Sequence, residues 1–378
     1  MLALAKGDLP LSARLESHLA RCLDCRACEK ACPSYVSYGQ ALDSVRAVIE
    51  DSRTPSARGL PKTVAMLQRL VQKPGRIPML GRILRLYQLS GLQKLLRASR
   101  VLHMFGLAEL EADLPSLLPQ HTFAEIYPVQ KKSKGRVVIF AGCLTPLTDQ
   151  QTLLSSIRLL NRLGYEVHLP PNQGCCGALH LHSGQPEKTT EFMRRNIAAF
   201  GSGTESIICA ASGCTATLNE YAKYLEDNIP AVQFSSRVMD INQFLAGITW
   251  PSNISLRPLA KRIVVHDPCT LANVLRQEDK PHALLSRIPG AEIIALPGNA
   301  VCCGAAGTYH LTQSQIARQL RAPKIEHLKQ LAPDILVTAN PGCATFLAAG
   351  IREAKLDIEV MHPVVLLEKQ LSETGGGI

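Results

Sequence analysis

Gly174-Cys175-Cys176-Gly177 and Val301-Cys302-Cys303-Gly304 are two copies of an uncommon arrangement, adjacent cysteines followed by glycine. Each copy is flanked by an upstream and a downstream cysteine at matched distances. Cys143 to Cys175 spans 32 residues and Cys269 to Cys302 spans 33; Cys176 to Cys214 spans 38 and Cys303 to Cys343 spans 40. A spacing repeated this closely requires two copies of one structural unit. Whatever fold the chain adopts must therefore present two equivalent sets of cysteines.

The residues around the cysteines predict what that unit is. Arg136–Phe140 is a short apolar, β-branched run that ends at Ala141-Gly142-Cys143. Tyr165–Leu169 leads into the first CCG, and Ser206–Ile208 runs out to Ala211-Ser212-Gly213-Cys214. The order recurs: Lys261–Val265 leads to His266-Asp267-Pro268-Cys269, Ala291–Ala295 to the second CCG, and Asp334–Thr338 to Asn340-Pro341-Gly342-Cys343. Such runs predict buried parallel strands. Gln151–Leu163, Lys188–Phe200 and the stretch from Cys214 to Leu225 predict helices between them. Residues 226–260, with the single tryptophan Trp250, read as the connection between the two units.

In an open parallel sheet, sites form beyond the C-terminal ends of the strands. Each unit is thus expected to converge four thiolates on one sheet edge: Cys143, Cys175, Cys176 and Cys214 in the first, and Cys269, Cys302, Cys303 and Cys343 in the second. Glycines beside them permit close backbone approach. Helices starting near Cys214 and Cys343 favour anionic sulfur. Three occupants compete: a strained vicinal disulfide, structural zinc and an iron–sulfur cluster. Cys209, at the end of an apolar strand, reads as a buried small hydrophobe, with a fifth-ligand role left open. His180, His182, His266 and His310 lie near these loops and read as hydrogen-bonding neighbours rather than ligands.

A third cysteine group lies near the start. Cys22-x2-Cys25-x2-Cys28-x3-Cys32-Pro33 has the ferredoxin-type spacing of a [4Fe–4S] site, whereas zinc sites usually use paired C-x2-C units with a gap between them. With the two sets of four, this run accounts for twelve of the thirteen cysteines. In two-cluster ferredoxins the fourth cysteine of such a run ligates the other cluster, and only one run is present. Either Cys32 closes this site, or a partner donates a ligand, or the chain lacks its natural N-terminus; the last is the reading preferred here. Residues 1–21 read as helical.

Thirteen cysteines fit a reducing compartment better than a disulfide framework. No run is long and apolar enough to span a bilayer, and the apolar start is too short for a signal peptide, so the expected location is cytoplasmic, with peripheral contact on the inner membrane. The net charge is +10, with 41 Lys and Arg against 31 Asp and Glu. Eleven of the 41 fall between Ser52 and His103, where there is no acid: Arg53, Arg58, Lys62, Arg69, Lys73, Arg76, Arg82, Arg85, Lys94, Arg97 and Arg100. Removing them leaves 30 basic residues, so the excess belongs to this segment. Leu84, Tyr87, Leu92, Leu95 and Leu96 predict one apolar helical stripe there, with arginines opposite. A solvated basic face, or docking on an acidic subunit or an anionic lipid surface, would use such a segment. Only 4% of residues are aromatic and no binding motif is present, which argues against nucleic acid. The tail Gly375-Gly376-Gly377 reads as a frayed terminus.

In combination, Arg21-Cys-Leu-Asp-Cys-Arg-Ala-Cys-Glu-Lys-Ala-Cys-Pro33, the first CCG, Ala211-Ser-Gly-Cys214, Cys302-Cys-Gly-Ala-Ala-Gly-Thr-Tyr309 and Val337-Thr-Ala-Asn-Pro-Gly-Cys343 resemble the iron–sulfur subunits of bacterial glycolate oxidases, also called glycolate dehydrogenases. The wider cysteine-rich CCG family includes heterodisulfide reductase subunits, lactate-utilisation proteins and the small subunit of anaerobic glycerol-3-phosphate dehydrogenase. The resemblance implies an α/β fold of two repeated CCG cysteine-rich domains with parallel sheets. A small α-helical ferredoxin-type domain and a helical linker would precede them. The corresponding segments are 1–50 (the second half of the ferredoxin-type domain), 51–134 (basic linker), 135–250 and 251–378. It also implies an electron-transfer subunit with [4Fe–4S] clusters in a complex that oxidises glycolate to glyoxylate. FAD-containing catalytic subunits would be its partners, a quinone its acceptor, and no catalytic residue would lie in this chain. The chain departs from the family in matching only the second of two ferredoxin-type runs. Heterodisulfide reductase repeats also carry a distal C-x2-C, where this chain has Ala211 and Asn340, which disfavours disulfide-reduction chemistry.

Overall fold

The computed structural model describes residues 4, 6, 8–52, 62–71, 75, 77–99, 101–105, 107–129, 133–225 and 228–372. Arg53, Arg58, Lys73, Arg76 and Arg100 of the basic segment, and the glycine-rich tail, lie outside the described residues.

Two sheets carry the fold. The first contains β1 (Ile126–Tyr127), β2 (Gly135–Phe140), β3 (Tyr165–His168), β4 (Ile207–Cys209) and β5 (Val238–Asp240), in the order β1-β3-β2-β4-β5. The second contains β6 (Arg262–His266), β7 (Glu292–Ala295), β8 (Ile335–Thr338) and β9 (Glu359–Met361), in the order β7-β6-β8-β9. All pairings are parallel except that of the edge strand β1 with β3. Setting β2 on β6, β3 on β7, β4 on β8 and β5 on β9 superposes the two orders, so the duplication extends to topology.

The apolar runs are continuous because these strands are buried on both faces, and alternate residues serve different cores. Val137 and Ile139 of β2 share one core with Ile263 and Val265 of β6 and with Ile335 and Val337 of β8. The helices Gln150–Arg162 and Pro363–Gln370 lie in this shared layer and join the repeats. Val138 and Phe140 point the other way, onto Phe192, Met193 and Phe234. Val264 and Leu336 likewise pack on Phe346 and Leu347.

Residues 226–260 are more than a connection. They supply the helix Ile229–Arg237, β5 and the helix Ile241–Gly247, and Asp240 caps the last by accepting from Asn242 N. β5 and β9 are only three residues long, too short to show a period. Trp250 is buried, donates Nε1–H to Leu245 O at 3.0 Å and carries the Arg287 guanidinium over its ring.

The N-terminal helices Ala13–Ala20, Ala27–Ala31 and Tyr38–Ser52 sit against both repeats. Ser12 caps the first by accepting from Leu15 N, so this helix covers Ala13–Ala20 of the stretch expected to be helical over 1–21. In the basic segment, Ile77 and the half-buried Leu70, Leu80 and Leu84 pack against Leu117 and Leu147. The stripe of Leu84, Tyr87, Leu92, Leu95 and Leu96 does not form. The helix Ile77–Leu89 ends and Leu92–Ala98 begins around Gly91 at φ 79°, so the two halves present different faces. Met79, Ile83, Leu86 and Leu89 point outward instead, beside Arg82.

Candidate metal centres

In the first repeat, Cys143 follows β2, the pair Cys175–Cys176 follows β3, and Cys214 lies in the first turn of the helix Ser212–Asn219 after β4. Their thiols form a chain of contacts, Cys143 to Cys175, Cys175 to Cys176 and Cys176 to Cys214. The second repeat has the same chain, Cys269 to Cys302, Cys302 to Cys303 and Cys303 to Cys343, with the first pair 3.9 Å apart. In each repeat the glycine after the pair turns its N–H to the sulfur two residues earlier: Gly177 N donates to Cys175 Sγ and Gly304 N to Cys302 Sγ, both at 3.4 Å. Both glycines have φ +93°, in the left-handed region. All thirteen thiols are free, which removes the vicinal disulfide.

The donor chemistry fits a multinuclear cationic group. The Cys176 thiol is pushed up to about 12, first by contact with Cys175 and then by burial. Cys302 also reaches about 12: the Cys269 thiol pulls it down, but contact with Cys303 and burial outweigh that. Cys175, Cys214 and Cys269 stand well above the usual thiol value, raised first by Cys143, Cys176 and Cys302 respectively and further by burial. Four adjacent sulfurs in a low-dielectric pocket cannot all be anionic unless a positive centre neutralises them. Iron with bridging sulfide, bound by four thiolates and by N–H groups aimed at sulfur, meets that demand. Cys209 is buried, contacts Cys214 and donates to Ala211 O at 3.6 Å.

The N-terminal run divides. Cys22, Cys25 and Cys28 act on one another, and the Tyr38 hydroxyl hydrogen-bonds Cys22. Cys32, at the C-terminal end of Ala27–Ala31, does not figure among the groups acting on Cys25 and Cys28. The groups acting on it are the backbone N–H groups of Val36, Ser34 and Tyr35, which hold its thiol below the usual value. Asp24 and Arg26, which flank Cys25, adopt positive φ; Cys22 and Cys25 are half-buried and Cys28 is exposed.

The three groups meet at one seam. Ser212 N donates to Ala339 O at 3.1 Å, Ser212 and Thr270 share a hydrogen bond of 2.8 Å, and Asn340 Nδ2 donates to Ser212 Oγ. Asn340 also caps the helix Pro341–Glu353, accepting from Gly342 N and Cys343 N. The position of the absent distal cysteine is thus occupied by a residue that ties the repeats together. Cys269 opens into a π-helical turn, Thr270–Leu275, whose Asn273 donates to Cys25 O at 2.8 Å. Cys269 acts electrostatically on Cys25, raising its thiol further after burial has done so. On the other side, buried Arg26 pairs with Glu220 at 2.6 Å, Tyr224 donates to Asp43, and His182 lies between Asp24 and Asp43 at 3.1 and 3.0 Å.

A family model described as a cysteine-rich domain matches twice, over residues 137–219 and 263–348, and one described as the linker region of the glycolate oxidase iron–sulfur subunit matches 62–114. The glycolate oxidase iron–sulfur subunit of Escherichia coli is 32% identical over 96% of this chain and 84% of its own length. A Bacillus subtilis relative carrying the same subunit name is 31% identical over 97% of this chain and 85% of its own. This chain belongs to the glycolate oxidase iron–sulfur subunit family. Lactate utilization protein A of Bacillus velezensis is 27% identical over 62% of this chain and all of its own length. The glycolate oxidase linker match coincides with the basic segment, which marks that segment as a family feature rather than an incidental spacer.

Of the histidines, His182 and His310 lie against carboxylates, the latter with Nε2 3.1 Å from Asp113, and His180 packs on Phe192. His266 is buried, hydrogen-bonded to Thr338 at 2.9 Å, and has a ring nitrogen within 4.8 Å of the sulfurs of Cys303 and Cys343. Lys324, buried beside the same sulfurs, was not singled out from the sequence. It lies on a predominantly polar helix, where nothing in the pattern separates it from solvent-facing lysines.

Proposed function

We propose that this chain is the iron–sulfur electron-transfer subunit of a flavin-dependent 2-hydroxy-acid oxidase acting on glycolate. Electrons would come from FAD on a partner subunit and pass toward a quinone-type acceptor. The observation that carries this reading is the meeting of two equivalent four-thiol sets with a third group, Cys22, Cys25 and Cys28, at one seam. When bound, a [4Fe–4S] cluster supplies reversible one-electron transfer. The residues of the chain do the rest. Cys143, Cys175, Cys176 and Cys214 bind one cluster, and Cys269, Cys302, Cys303 and Cys343 a second. Gly177 and Gly304 direct N–H groups at sulfur, and the apolar cores around the CCG pairs exclude water. Segments 1–50, 51–134, 135–250 and 251–378 serve as ferredoxin-type domain, linker and the two cysteine-rich domains. No helix among the described residues is long and apolar enough to cross a membrane, so membrane contact through this chain would be peripheral.

The test is anaerobic purification followed by iron and acid-labile sulfide analysis and EPR of the reduced protein. Iron and sulfide in equal amounts, with a signal on reduction, are expected; bound zinc without sulfide overturns the reading.

The outward face of Ile77–Leu89 is the expected contact with the flavin subunit. Leu86 and Leu89 are 67% and 68% exposed, and Met79 and Ile83 lie nearby. Exposed apolar side chains grouped this way mark interaction surfaces. Arg97 does not contribute free charge, because it pairs with Glu111 at 2.8 Å. Ile83→Asp with Leu86→Asp is therefore expected to lower co-purification with the flavin subunit at least tenfold while leaving iron content unchanged. Undiminished co-purification rejects the contact.

A further inference from the structure

The two thiol sets match in their ligands but not in what lies behind them. His266 stands three residues before Cys269 and pairs in register with Thr338; Phe140 stands three residues before Cys143 and pairs in register with Cys209. The imidazole–hydroxyl pair of the second repeat is thus a phenyl–thiol pair in the first. A second difference lies on the helix that backs each CCG loop. Thr189 abuts Gly177, and Ala317 abuts Gly304. Seven residues beyond each comes Asn196 in the first repeat and Lys324 in the second.

Asn196 is neutral and fully used. It accepts from Gly174 N at 2.9 Å and donates to Cys175 O at 2.8 Å, and it also donates to the Tyr221 hydroxyl. Lys324 places a basic amine at 2% exposure. Its Nζ donates to Gly298 O at 3.0 Å, in the loop leading to Cys302, and no carboxylate among the described residues pairs with it. Burial pulls its ammonium below the usual lysine value, and the sulfurs of Cys303, Cys302, Cys343 and Cys269, once anionic, act in the opposite sense. A buried ammonium requires an opposite charge nearby, and among the described residues the thiol set is the group that supplies one.

We propose that Lys324, assisted by His266, is the built-in counter-charge of the second set and makes its cluster the more readily reduced of the two. This rests on the reading that each repeat holds a cluster. Reduction adds one negative charge to a site. In a low-dielectric pocket a fixed cation lowers the free energy of that state, and hydrogen bonds toward cluster sulfurs act in the same sense. Both sets receive a glycine N–H on sulfur, but the first, backed by Phe140 and Asn196, has neither the amine nor the imidazole of the second. An electron shared between the repeats therefore rests on the second, the one whose Cys269 acts electrostatically on Cys25 and whose Asn273 donates to Cys25 O. Lys324 and His266 tune the site and are not ligands.

The experiment is an EPR-monitored redox titration of the full chain purified with its clusters, alongside iron and sulfide analysis. Lys324→Met is expected to lower one midpoint potential by about 59 mV or more, a tenfold change in a one-electron reduction equilibrium, and to leave the others in place. Lys324→Arg, which keeps the charge, is expected to restore most of the shift. His266→Phe, which copies the first repeat, is expected to shift the same midpoint in the same direction by less. Variants that keep full iron and sulfide but show unmoved midpoints overturn the proposal, and His266→Phe and Lys324→Arg carry that test if Lys324→Met does not fold. If the unsubstituted chain contains no iron and sulfide beyond what a Cys303→Ala, Cys176→Ala double variant retains, the underlying reading fails instead.

Discussion

Cys303→Ala is expected to cost the chain one cluster, about four iron and four sulfide, while Cys209→Ala leaves both contents unchanged. Cys303 is fully buried at the centre of its set, in contact with Cys302 on one side and Cys343 on the other. Removing it leaves three of the four thiols of the second set. Cys209 lies outside the chain of contacts, touching only Cys214 among the ligand thiols. Its loss removes a small apolar side chain and one weak hydrogen bond, at about 1 kcal/mol. Iron and sulfide analysis of both variants decides the matter. Loss of iron in Cys209→Ala would make Cys209 a fifth ligand, and full iron in Cys303→Ala would reject the second site as drawn.

The sites were legible because cysteine is scarce and its chemistry demands convergence. Matched spacings of 32 against 33 and 38 against 40 residues implied equivalent positions on equivalent units. The strands before the cysteines were readable because burial on both faces makes them continuously apolar. What the sequence concealed has physical reasons of its own. β1, β5 and β9 are two or three residues long, and their pairing rests on tertiary context rather than pattern. The linker stripe failed because Gly91 ends one helix and starts another, which resets the phase of the apolar period. Lys324 was invisible for a different reason: a lysine in a polar helix looks solvent-facing until the fold lays that helix over four sulfurs.

Gly304→Ala is expected to destabilise the protein more than Gly177→Ala, although the two glycines occupy equivalent positions at the same φ of +93°. Each substitution forces an L side chain into the left-handed region, at about 1–2 kcal/mol. Beyond that the surroundings differ. A Cβ at Gly177 would lie 3.1 Å from Thr189 Cγ2, a side-chain methyl that can give way. A Cβ at Gly304 would lie 2.6 Å from Ala317 O, a backbone atom of the helix Ser314–Leu331. That contact can be relieved only by moving the helix or the CCG loop. The helix carries Lys324, and the loop carries Cys302, Cys303 and the Gly304 N–H that points at Cys302 Sγ. The substitution therefore disturbs cluster binding and backbone packing together. Thermal unfolding and iron content of the two variants, purified anaerobically, test this. Gly304→Ala should show the lower Tm and lose iron at the second site, and Gly177→Ala should retain most of its iron. Equal losses in both would mean that the helix behind the second loop yields as easily as the threonine methyl behind the first.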